Sequence, residues 1–72
     1  MFYDHAEATR LLINELSVRA FRRRHYDAMR AAGMLIEAYL LAMEQEDEDA
    51  LNRIDELVSL WIEHLRTSPA QD

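Results

Sequence analysis

The sequence predicts an all-α fold: a small three-helix antiparallel bundle, built as a helical hairpin plus a third helix, that packs as a homodimer. Three observations point there. The 72 residues include one Gly and one Pro, and Pro69 lies near the C-terminus, so Gly33 is the sole interruption over residues 1–66. Apolar residues recur at three- and four-residue spacing in three blocks, with no β-branched runs of the kind strands use. Residues 31–43 carry one charge, Glu37, and are apolar almost all round a helical wheel. A helix of that kind needs cover on nearly every side, more than two short helices of the same chain supply.

Helix 1 opens at Asp4, which with Glu7 three residues on has the form of a capping box. Its main apolar arc is Leu12, Ile13, Leu16, Ala20 and Phe21, while Leu11 and Val18, seven apart, fall on another face. Arg22, Arg23 and Arg24 close it, where cations suit the negative end of the dipole. Helix 2 starts near Tyr26–Asp27 and runs to about Gln45. It has a bulky side (Met29, Ile36, Tyr39, Leu40, Met43) and a small side (Ala31, Ala38, Ala42, with Leu35). The bulky side suits the core within the chain. The small side, with the neighbouring Met34 and Leu41, is then left for a second copy, giving an expected dimer interface of Ala31, Met34, Leu35, Ala38, Leu41 and Ala42.

Helix 3 starts within residues 47–49 and runs to about Arg66. Leu51, Ile54, Leu57, Val58, Trp61, Ile62 and Leu65 form its apolar arc, and Leu60 is the misfit that points to solvent. Residues 1–66 thus form a single domain, and residues 67–72 a flexible tail. Short turns make neighbouring helices antiparallel. Residues 16–29 loosely resemble the helix-turn-helix hairpin of tetratricopeptide repeats, with Leu16, Ser17, Ala20 and Tyr26 at matching positions. Arg24 stands where the turn glycine usually sits, and Gly33 where an aromatic belongs. The resemblance covers one hairpin and implies no solenoid and no function.

Charge is unevenly placed. Residues 1–36 hold six Arg against four acids, net +2, and residues 37–72 hold two Arg against ten acids, net −8. The bundle is therefore expected to be a dipole, basic at the first turn and acidic at the second, where Glu44, Glu46, Asp47, Glu48 and Asp49 crowd together. Those carboxylates lack the twelve-residue alternation of a calcium loop. Arg22, Arg23 and Arg24 form one short basic cluster on a chain of net charge −6, without a recognisable DNA-binding motif. His5, His25 and His64 lie on separate elements without metal-ligand spacing, and no Ser or Thr has a histidine placed to activate it. No catalytic, metal or cofactor residue is expected.

With no Cys, no bilayer-length apolar run and no signal-peptide pattern, the expected setting is the cytoplasm, away from membranes. The expected function is a non-enzymatic protein–protein interaction module. In size and character it fits a small bacterial or phage regulatory or inhibitor (anti-activator-like) protein that binds a partner, a basic or DNA-binding protein in one form, and modulates its activity. Leu11, Val18, Arg22, Arg23, Arg24, Glu46, Asp47, Glu48, Asp49 and Leu60 are the candidates for touching that partner. The alternatives are a nucleic-acid-associated regulator using Arg22, Arg23 and Arg24, with nucleic acid the less expected partner, or a secretion-chaperone-like adaptor.

Overall fold

The computed structural model describes residues 1–67, which form three α-helices: α1 (Phe2–Arg22), α2 (Tyr26–Gln45) and α3 (Glu48–Thr67). Each packs against both others in a body 39 × 17 × 14 Å. The all-α, three-helix architecture of the sequence reading is what the chain adopts. The expected tail falls outside the described residues apart from Thr67, which ends α3 with its hydroxyl donating to the carbonyls of Glu63 and His64.

Both turns end a helix in the left-handed region without glycine: Arg24 has φ 54° and Glu46 φ 49°. Around each, two amides reach back to the last turn. Arg24 N–H donates to Phe21 O and His25 N–H to Ala20 O, while Glu46 N–H donates to Met43 O and Asp47 N–H to Ala42 O. These are Schellman turns, which Gly occupies at lower cost than a residue with a Cβ. Arg24→Gly and Glu46→Gly are each expected to raise stability by about 0.5–1 kcal/mol, read as a higher denaturation midpoint at unchanged m-value. A lowered midpoint would mean that either side chain contributes more than its backbone strain costs.

α2 and α3 start where expected, and α1 does not. Asp4 does not cap α1; Met1 precedes the helix without a side-chain cap, and Glu7 instead forms a bidentate pair with Arg10 at 2.7 and 3.0 Å. α2 is capped by His25, a residue outside the usual set, whose Nδ1 accepts Ala28 N–H at 3.1 Å. α3 is capped by Asp47, whose Oδ1 accepts Ala50 N–H at 3.0 Å.

The core consists of Ala6, Ile13, Leu16 and Ala20 from α1, Ala28, Ala32, Leu35 and Ala42 from α2, and Leu51, Ile54, Val58 and Leu65 from α3. This overturns the assignment of α2. Ala28 and Ala32 face inward with Leu35 and Ala42 of the small side, while Ala38 is exposed; of the bulky side only Tyr39 and Met43 pack partly against the core, and Met29, Ile36 and Leu40 are exposed. The reason is complementary volume. α1 and α3 bring Ile13, Leu16, Leu51, Ile54 and Val58, and close packing opposite such side chains calls for alanines. Phe21 and Leu57, expected in the core, are likewise exposed, Phe21 to 71%.

Candidate functional site

Two polar clusters come together, and both hold the fold. In the first, His5 bridges α1 to α3. Its Nδ1 meets Glu48 Oε2 and its Nε2 meets Asp55 Oδ2, each at 2.5 Å, and the wholly buried Thr9 donates its hydroxyl to Asp55 Oδ1 at 2.6 Å. A ring with a carboxylate at each nitrogen is held as the imidazolium. The hydrogen bond to Asp55 foremost, then that to Glu48, raises the His5 pKa against the opposing pull of desolvation. The hydroxyl of Thr9 faces the carboxylate rather than the imidazole and is sealed from solvent, so the trio lacks the hydroxyl–imidazole contact of a nucleophile triad.

Because the folded pKa of His5 is raised, its contribution to stability is full below the unfolded value of about 6.5 and is lost as pH rises through the folded pKa. Wild type is therefore expected to lose more melting temperature than His5→Gln does between about pH 6 and pH 9. Parallel pH profiles for the two proteins would remove His5 as the cause.

The second cluster lies at the opposite end. The buried ring of His25 meets Trp61 and His64 edge-on, with centroids 6.0 and 5.5 Å away, and Trp61 meets His64 at 5.7 Å. The cap requires Nδ1 to carry no proton. Among the described residues, every buried side-chain polar atom has a partner, no group of His, Asp or Glu is arranged to hold a metal ion, and no helix is long and apolar enough to cross a membrane.

What the chain leaves open is apolar. On the side where α2 meets α3, Met34, Ala38 and Leu41 form one stripe of α2, and Leu57 and Leu60 stand exposed on α3. A groove of about 310 Å³ runs between the helices, with Leu35, Ala42 and Ile54 in its floor and Gln45 and Arg53 towards one end. Leu57 continues it into a second hollow with Leu60, Trp61 and His64. On the other side of α2, facing α1, Met29, Ile36 and Leu40 are exposed, and Met29 shares a hollow with Phe21, Arg22, Arg24 and Tyr26. The Arg30–Glu37–Glu44 stripe separates the two faces.

The expected dimer interface is therefore split. Met34, Ala38 and Leu41 are exposed together, Ala31 is half-buried, and Leu35 and Ala42 are 7% and 2% accessible, within the core of their own chain. Leu35 and Ala42 are corrected from surface to core for the volume reason above. Leu60, expected to meet a partner separately, joins the α2–α3 face, whereas Leu11 and Val18 lie exposed on the back of α1.

The ends are charged as expected. Arg19, Arg22, Arg23 and Arg66 surround a small cleft over Leu65, with Arg24 in the adjacent turn. At the other end Asp47 caps α3 and Glu48 holds His5, so part of the acidic cluster serves the fold, while Glu46 and Asp49 stay exposed. Periodicity assigns Phe21, Met29, Ile36, Leu40 and Leu57 to the core, and all five are exposed. For Met29, Ile36 and Leu40 the identifying signal is the run of inward alanines at 28, 32 and 42, which moves the buried side of α2. The chain matches no protein-family model, no curated protein and no solved structure.

Proposed function

We propose that the chain is a non-enzymatic protein-interaction module, a homodimeric cytoplasmic regulator or inhibitor of the phage or bacterial kind, which acts by occupying a surface of another protein. The observation that supports this reading is the exposure of α2 on two separate apolar faces. An exposed apolar surface of this extent on so small a domain marks a place where other polypeptides sit. One self-association covers one face. The second, formed by Met29, Ile36 and Leu40 beside Phe21 and Tyr26, is left for a target. The exposed acids at the far end favour a basic target, through faster encounter more than through affinity.

The test is capture from nuclease-treated lysate of the source cells with wild type and with Ile36→Asp/Leu40→Asp. The expected result is one stoichiometric protein held by wild type and lost by the double variant, whose helicity and oligomeric state stay unchanged. Equal capture by both would move the contact off this face. Recovery of nucleic acid before nuclease, lost on substituting Arg22, Arg23 and Arg24, would replace the reading with the nucleic-acid alternative.

A further inference from the structure

We infer that the α2–α3 face seats a second copy of the chain in antiparallel orientation, so that α2 and α3 of both copies form a four-helix core. The inference rests on the homodimeric reading and names the surface and orientation. Three observations support the second copy as occupant.

The first is size. The extents of the molecule, 39 by 17 Å, set the scale of any one face at roughly 650 Å² in projection, below the ~800 Å² per partner of a standard stable interface, and a second copy presents a face of matching dimensions. Met34 and Leu60, at 65% and 66% accessible, are the most open of its large side chains.

The second is symmetry. Ala38 and Leu57 both line the groove, and both lie near the middle of their helices. A two-fold axis crossing the helices there lays α2 on α2 and α3 on α3, so the same patch meets itself. Met34 and Leu41, four residues before and three after Ala38, then meet Leu41 and Met34 of the other copy. Arg53 and Trp61, four residues either side of Leu57, come into register for a cation–π contact across the axis.

The third is charge, which selects the orientation. The alternative axis, parallel to the helices, stacks the acidic turn of one copy on the acidic turn of the other and the arginine end on the arginine end. Like charges juxtaposed in this way are costly. The crossing axis sets each arginine end beside the other copy's acidic turn and brings Arg30 towards Glu44.

The chain has no Cys, so single engineered thiols report proximity cleanly. Sedimentation is expected to show a dimer for wild type and, for Ala38→Glu with helicity retained, association weakened at least ~100-fold by a buried unpaired carboxylate. Under mild oxidation Leu57→Cys is expected to form covalent dimers, and Gln45→Cys, at the acidic end of the groove, to stay monomeric in denaturing gels. A dimer unaffected by Ala38→Glu would leave the homodimeric reading standing and overturn this seat. Cross-linking through Gln45→Cys, with or without Leu57→Cys, would overturn the orientation. A wild type monomeric at all concentrations would remove the homodimer itself.

Discussion

Ala42→Glu is expected to unfold the protein, whereas Ala38→Glu, one turn earlier on the same helix, is expected to leave it folded. The two alanines look equivalent on a helical wheel, both on the small side of α2. In the bundle Ala42 is 2% accessible and packs in the core, while Ala38 is exposed on the lip of the α2–α3 groove. A carboxylate at 42 would displace core packing and lose hydration among apolar side chains, with Arg53 at one end of the groove the cation it could turn towards, at a cost of several kcal/mol. Domains of this size rarely hold more than about 3–5 kcal/mol of stability from a single core, so the folded state would not survive. Far-ultraviolet circular dichroism separates the two: lost helicity for Ala42→Glu, near wild-type helicity for Ala38→Glu. Ala42→Ser supplies the graded control. Its hydroxyl can bond back to the carbonyl one turn earlier, so the loss is expected to be about 1 kcal/mol. A folded Ala42→Glu with an unchanged melting temperature would mean that α2 presents a different side to the core.

That contrast also marks where the sequence was legible. The three helices, their antiparallel order, the charged ends and the outward Leu60 all follow from periodicity and turn spacing, and the structure has them. The inward side of α2 did not follow. Periodicity ranks faces by hydrophobicity, and α2 is apolar nearly all round, so the choice fell to volume: Ala28, Ala32 and Ala42 fit opposite large side chains on α1 and α3. Volume matching is a property of the assembled bundle and cannot be read from one helix at a time. The His5–Asp55–Thr9 contacts were equally hidden, because their members are 46 and 50 residues apart. Histidine is not among the residues that commonly start helices, so the sequence does not mark His25 as a cap.

The candidate surface was half legible for the same reason. Position in the sequence singles out Met34, Leu41 and Leu60 on separate grounds, the first two as a dimer edge and the third as a misfit. Leu57 joins them because the rotation of α3 that buries Leu51, Ile54, Val58 and Leu65 carries Leu57 to the margin, where it lines the groove against Ala38 and Leu41. A seven-residue apolar arc is wider than a core this thin can bury, and its edge becomes surface.

Leu16→Ala is expected to cost about 2–5 kcal/mol, enough to leave much of the chain unfolded at room temperature. Leu16 is fully buried in the middle of α1, and its neighbours in the core include several alanines, which have little side chain with which to refill the space. Leu11→Ala on the exposed back of the same helix is the matched control, with an expected change within about 0.5 kcal/mol. Urea denaturation measures both, and equal costs would mean that Leu16 is not buried in solution. Concentration then distinguishes core from interface. Dimerisation stabilises the folded chain by mass action, so the wild-type melting temperature should rise with protein concentration. Leu16→Ala removes packing inside each copy and should shift that curve down while keeping its slope. Leu57→Ala, on the face inferred to meet the second copy, should flatten the slope and meet the wild-type curve at high dilution, where neither protein is associated. A slope that Leu57→Ala leaves intact would separate self-association from the α2–α3 face, whatever Leu16→Ala does to the core.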